Sequence, residues 1–190
     1  EMPLPPYITE RLADPDRYQT VYAREPGSAA APTAGLHFTD DLMLRLATRG
    51  IEVARVELVV GLDTFRPITE ADPLQHRMHT ERYVVPAETM ERCRSARRVV
   101  AVGTTSVRAL ESAAATGDLA GRTDIFIHRG FDWQVVDVML TNFHLPRTTL
   151  LMMIDAFVGD RWRDLYDEAL RERYRFLSFG DAMLLDRHAG

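Results

Sequence analysis

The chain has 190 residues, 46% of them apolar and 27% charged, which excludes a disordered chain and sets the expectation of one moderate-sized domain. A net charge of −5 excludes a wholly basic nucleic-acid-binding surface, and the single Cys93 excludes an internal disulfide or a cysteine-based metal cluster. No apolar run reaches the ~18 residues of a membrane helix.

All 23 basic residues are arginine, so lysine Schiff-base chemistry is absent. The start, EMPLPPYITE, lacks the basic region and apolar core of a secretory leader, and the expected compartment is the reducing cytoplasm. PLPPYI reads as an extended entry of the kind that follows something already folded. Residues 18–22 (YQTVY) have strand composition, and EPGSAAAPTAG is a small-residue loop. Thr39 reads as the N-cap of a helix favoured by Asp40 and Asp41 and closed by Gly50. Residues 51–60 alternate well enough for one long strand, with Glu52, Arg55 and Glu57 as its polar members. A long loop, GLDTFRPITEADPLQHRMHTE, leads to a strand at 83–85, and Pro86 opens a helix carrying Arg92, Arg94, Arg97 and Arg98.

The run VVAVGTTSVRALES organises the rest. Residues 99–102 form a short buried strand bounded by Gly103, and the apolar spacing of Val107, Leu110 and Ala114 begins a helix. A strand, a hydroxyl-rich turn of Gly103, Thr104, Thr105 and Ser106, and a helix start aim backbone N–H groups at a ligand, with Arg108 in the first turns. The same pattern also describes an ordinary turn capped by Thr or Ser. It has neither the P-loop nor the GxGxxG spacing. Gly117 and Gly121 mark a loop, DIFIH (124–128) and QVVDVML (134–140) read as strands, a helix begins at Thr148, a second spans 162–173, and YRFLSFGDAMLL is the last element. Strands alternating with helices make the chain an α/β domain.

Histidines supply acid/base groups near neutrality, and His37, His79 and His144 are the candidates in polar contexts. His76 and His79 are three apart beside Glu81, but there is no HExxH and no third ligand at fixed spacing, so no metal is expected. Asn142 suits a base edge or carboxylate, or equally a turn before Pro146. Asp181 suits a cation or ribose hydroxyls, or equally an N-cap. The Arg92, Arg94, Arg97 and Arg98 cluster suits phosphates, or is an exposed helix face. Tyr174, Phe176 and Phe179 suit base stacking, or are core.

PLPPYI, YQTVYA, GSAAAPTAGLHFT, RVVAVGTTSVRALES, TNFHLP and YRFLSFGDAMLL, in this order, resemble the S-adenosylmethionine:tRNA ribosyltransferase-isomerase family of queuosine biosynthesis. The resemblance implies transfer and isomerisation of the ribosyl part of S-adenosylmethionine onto 7-aminomethyl-7-deazaguanine at the tRNA wobble position, giving epoxyqueuosine, adenine and methionine. It implies a cytoplasmic enzyme with S-adenosylmethionine as co-substrate, no metal or redox cofactor, no membrane, and the tRNA anticodon region as partner. It also implies a barrel-like α/β domain that here lacks the family's N-terminal part and inserted β-barrel, as one fragment of a longer protein. Under it His37, His79 and His144 are the acid/base candidates. Gly103, Thr104, Thr105, Ser106, Arg108, Glu81, Asn142 and Asp181 bind substrate, and Arg92, Arg94, Arg97 and Arg98 meet RNA. His37, His79, Asn142 and Asp181 are expected to converge on one cleft. The chain departs from the pattern at Val59, Asp63 and Arg147, which leaves open a non-catalytic binding module or a paralogue with another acceptor.

Overall fold

The structure, a computed structural model, describes residues 5, 7, 8, 12, 14–23, 31–60 and 68–189. In chain order it has α1 (Asp40–Thr48), β1 (Glu57–Val59), β2 (Glu81–Val84), α2 (Ala87–Ser95), β3 (Val100–Val102), α3 (Thr104–Thr116), β4 (Ala120–Thr123), β5 (Val138–Asn142), α4 (Thr149–Val158), α5 (Arg161–Arg171) and β6 (Ala182–Asp186). Among the described residues the strands form two three-stranded sheets. One is antiparallel in the order β1-β2-β4; in the other, β3 runs parallel to β5, and β6 antiparallel to β5. The α/β class stands. The expected barrel-like closure is not formed among these residues, because each sheet keeps two unpaired edges.

Helix α3 packs on strands of both sheets, and its sequence explains why. Val107, Leu110 and Ala113 are at most 5% exposed and join Tyr83, Ile127, Met139, Ile154 and Phe157 in one core. Each fully buried large apolar side chain contributes roughly 1.5–3 kcal/mol. Gly103 starts the helix at φ +87°, which only glycine adopts readily, and Gly117 ends it in the left-handed region. The Tyr83 hydroxyl donates to the Asp118 carbonyl at 3.1 Å, which ties β2 to the end of α3.

Local capping follows the sequence. The Leu42 amide donates to the Thr39 hydroxyl and the Leu151 amide to the Thr148 hydroxyl, each at 3.2 Å. Strand extents do not follow it. Residues 51–60 pair only over Glu57–Val59, although Val56 and Leu58 face the core as the alternation required. Residues 18–22 are not a strand: a 3-10 turn at Pro15–Tyr18 ends there, with Asp14 as its cap. Gly121 lies inside β4 rather than in a loop, and 124–128 is irregular, because β2 offers partners only to 120–123. The strand expected at 134–140 is shifted to Val138–Asn142, where β3 and β6 both supply hydrogen bonds. Helix α2 ends at Ser95, so Arg97 and Arg98 are not on it.

Candidate functional site

Because β3 and β5 are parallel, their carboxyl ends share one edge, and antiparallel β6 begins there. In α/β sheets this is where ligands bind. Gly103 leaves β3 at this edge, its N–H bonded to the Leu140 carbonyl at 2.8 Å. The 3-10 turn Thr33–His37 passes over it so closely that a Cβ on Gly103 would lie 3.8 Å from the Ala34 Cβ.

Asn142, the last residue of β5 and 3% exposed, joins these segments. Its Oδ1 accepts from the Thr33 hydroxyl at 3.0 Å, which fixes the amide's orientation. Its Nδ2 then donates to His37 Nε2 at 3.2 Å and toward the Asp181 carbonyl at 3.4 Å. His37 itself is exposed. His37, Asn142 and Asp181 therefore meet at one edge.

The Asp181 carboxylate is engaged by its own loop. Oδ2 accepts the Arg175 amide at 2.7 Å, and the Asp181 amide donates to the Arg175 carbonyl at 2.7 Å. The Arg175 amide, then its guanidinium, and last the nearby His37 hold this carboxyl below its ordinary range. Gly180 makes the loop possible, since a Cβ there would fall 2.3 Å from the Arg175 carbonyl oxygen.

His144 follows on the same edge. Its Nε2 pairs with the Thr141 hydroxyl at 2.9 Å, and its amide donates to the Tyr166 hydroxyl at 3.0 Å. Desolvation pushes the imidazole down to about 4, so the ring is uncharged near neutrality. Phe143, Tyr166, Tyr174 and Phe176 stack behind it as one aromatic cluster, and Phe179 packs edge-on against Tyr18.

At the start of α3, Ser106 is used structurally: its hydroxyl donates to the Val102 carbonyl at 2.8 Å. Thr104 and Thr105 are half-buried at the amino end of the helix, where amides have no intrahelical acceptor. One turn on, Arg108 forms a buried ion pair from Nη1 to Glu81 Oε2, with both side chains at most 5% exposed. Burial holds the guanidinium below its ordinary value against the opposing pull of Glu81 and Asp124.

His79 is exposed and stands just ahead of β2, in the other sheet. His76 Nδ1 pairs with Glu70 Oε2 at 3.2 Å. Among the described residues no three His, Cys, Asp or Glu side chains cluster as metal ligands. The arginine cluster is partly neutralised: Arg92 pairs with Glu88 and Glu52, and Arg98 with Asp186. Arg82 and Arg122 were not anticipated. They face each other directly across β2 and β4, in the row of Val59, exposed on the outer side of the sheet. Glu57 lies one row along, opposite Val84. Asp63 falls outside the described residues. Arg147 adopts φ +60°, and its carbonyl accepts the Ile68 amide at 2.9 Å.

Sequence reading also missed Thr33, Thr141 and Glu111. Glu111 is wholly buried and accepts the amides of Gln134, Val135 and Val136 at 2.9–3.1 Å. The available signal was a carboxylate four residues after Val107, inside the apolar stripe of α3.

A sequence model of the family described as "Queuosine biosynthesis protein" matches residues 1–185. An S-adenosylmethionine:tRNA ribosyltransferase-isomerase of Carboxydothermus hydrogenoformans is 54% identical over 193 residues, covering 97% of this chain and 57% of that protein. One of Azoarcus sp. is 57% identical over 198 residues, covering 99% of this chain and 57% of that protein. The crystal structure of an S-adenosylmethionine tRNA ribosyltransferase from Thermotoga maritima superposes with a TM-score of 0.66 at 45% identity, covering 80% of this chain and 50% of that one. The chain spans about half the length of the curated relatives it matches.

Proposed function

This chain belongs to the queuosine biosynthesis protein family, and we propose that the protein is an S-adenosylmethionine:tRNA ribosyltransferase-isomerase. It moves the ribosyl part of S-adenosylmethionine onto 7-aminomethyl-7-deazaguanine in the anticodon region of tRNA, forms epoxyqueuosine, and releases adenine and methionine. The observation that carries the reading is identity above half, over almost the whole chain, to proteins so named. S-adenosylmethionine is a co-substrate, and the reaction is assigned no metal or redox cofactor. No helix of the described residues is long and apolar enough to cross a membrane; with a single cysteine, the protein is assigned to the cytoplasm. The barrel-like closure and part of the RNA surface are assigned to the portion of the relatives that this chain does not span.

The chemistry sets what the residues must do. A sulfonium acidifies its neighbouring 5′ methylene, so a base removes that proton, and departing adenine takes one from an acid. His37 and His79 are exposed imidazoles and are assigned the proton transfers. His144, uncharged near neutrality, is assigned hydrogen bonding at the substrate. Gly103, Thr104 and Thr105 are assigned the ligand cradle, and Asn142 the orientation of His37. Ser106 and Asp181 support this edge through the bonds they make within it. RNA phosphates are assigned to the row of Arg82 and Arg122, together with Arg92, Arg94, Arg97 and Arg98 where these are not held by carboxylates.

The test is adenine release by the full-length protein from S-adenosylmethionine and precursor-containing tRNA. Adenine formed in step with modified tRNA is the expected result. Binding of both substrates without adenine release would make the protein a non-catalytic module and overturn the reading.

A further inference from the structure

Arg108 holds a guanidinium that the fold buries and then leaves half used. The residue is 4% exposed, and Nη1 is paired with Glu81. Nε and Nη2 are buried with no hydrogen-bond partner among the described residues. Buried donors are almost always paired, and one left without a partner points to a group that arrives from outside the chain.

The geometry of the free atoms narrows that group. Nε and Nη2 form the side edge of the guanidinium, which grips two oxygens of one planar anion at once. The same protein shows that edge in use. Arg129 binds Asp155 through Nε at 3.0 Å and Nη2 at 2.6 Å. It also holds Asp160, through Nη2 at 2.9 Å and Nη1 at 3.4 Å. One guanidinium can therefore carry two carboxylates. Arg108 carries one, on Nη1, and among the described residues the edge that Arg129 gives to Asp155 meets no acceptor.

Position connects this edge to the ligand cradle. Arg108 lies four residues after Thr104, on the same face of α3 and one turn from its amino end. Its acidic neighbours are Glu81, paired with it, and the exposed Asp124.

We infer that the free Nε/Nη2 edge of Arg108 is the seat of a carboxylate, the α-carboxylate of the methionyl part of S-adenosylmethionine. The inference rests on the proposed function for the identity of the ligand. Arg108 and Glu81 then act as a unit: Glu81 fixes the plane of the guanidinium, and Arg108 fixes the methionyl end.

The test is calorimetric titration of the full-length protein with S-adenosylmethionine and with its decarboxylated analogue, which keeps the sulfonium and adenosine. The parent is expected to bind the analogue about 10- to 100-fold more weakly, the value of a charge-assisted bidentate contact. An Arg108→Met/Glu81→Gln variant removes both buried charges together, so neither is stranded, and it is expected to bind the two compounds equally. Arg108→Lys keeps the charge without the fork and is expected to retain only a small part of the preference. Equal binding of both compounds by the parent overturns the inference, as does a preference that survives in the double variant. An unchanged preference with a tRNA salt slope lowered by about one would assign the edge to an RNA phosphate and also overturn it. If the parent bound neither compound, the proposed function itself would fall.

Discussion

Asn142 and His37, 105 positions apart, meet through Nδ2 and Nε2 at 3.2 Å. With Asn142 Oδ1 already taken by the Thr33 hydroxyl, the amide can present only a donor to the ring. Nε2 of His37 is thereby held as an acceptor, which places the proton of the neutral ring on Nδ1.

Replacing Asn142 tests this arrangement. Asn142→Leu leaves the Thr33 hydroxyl and His37 Nε2 without their partner and buries no polar group of its own. We expect adenine release to fall by about 10²-fold or more through lost orientation, with stability lowered by about 1–3 kcal/mol. Asn142→Asp presents a carboxylate acceptor to Nε2, favours the charged imidazole, and should move the pH profile of adenine release upward. A profile that stays in place in Asn142→Asp would show that His37 is not the titrating group.

The acid limb of stability should carry His144. Its folded-state value of about 4 lies below the ordinary 6.5, so the unfolded chain binds the proton more readily. The contribution is complete above about pH 6.5 and is lost as pH falls toward 4; desolvation of a partly exposed residue makes it about 1–3 kcal/mol. Asp181, held low chiefly by the Arg175 amide, adds loss in the same direction at lower pH. Urea unfolding between pH 7 and 4 should show a shallower decline in His144→Asn than in the parent.

Glu111 should be a large single contributor to stability. Three amides converge on one buried carboxylate. In Glu111→Gln one acceptor becomes a donor facing N–H groups, at a cost of about 2–4 kcal/mol. A midpoint of denaturation unchanged from the parent would contradict this.

Backbone conformation sets two further limits. Gly103→Ala at φ +87°, ψ 149° should lose about 1–3 kcal/mol through strain. Gly180→Ala should lose more, since its Cβ would meet backbone rather than a movable side chain. Thermal melts of the two variants should rank in that order.

Salt dependence separates the two arginine groups. Arg82→Thr/Arg122→Thr should lower the slope of log affinity against log salt by about 1–2 for tRNA, and Arg92→Gln should change it little because Glu88 and Glu52 already neutralise Arg92. The same double variant removes a direct like-charge pair across β2 and β4, so its melting temperature should not fall.

How much of this was legible depends on the range of the interactions. Thr39 and Thr148 announce helix starts because each hydroxyl accepts an amide three residues on, and the structure puts helices at both. The alternation of 56, 58 and 60 announced a buried face, and Val56, Leu58 and Val60 do turn inward. Where that alternation would become a paired strand was not announced, because pairing depends on β2, which offers partners only to Glu57–Val59. Arg97 and Arg98 looked like continuations of α2 by composition, but the chain straightens at Ala96 to enter β3.

By itself, the sequence determined the local chemistry: the caps at Thr39 and Thr148, Gly50 closing α1, the apolar stripe of α3, and the six ordered runs that carry the family resemblance. Only the tertiary structure decided which residues share an edge. It brings residue 33, residue 37 and residue 181, just ahead of β6, to Asn142 at the end of β5. It pairs Arg108 with Glu81 across 27 positions while leaving one buried edge of the guanidinium without a hydrogen-bond partner among the described residues. The physical reason is that these are hydrogen bonds and ion pairs between segments distant in the chain. Their partners are chosen by sheet register and by the parallel course of β3 and β5, which no local pattern of residues encodes.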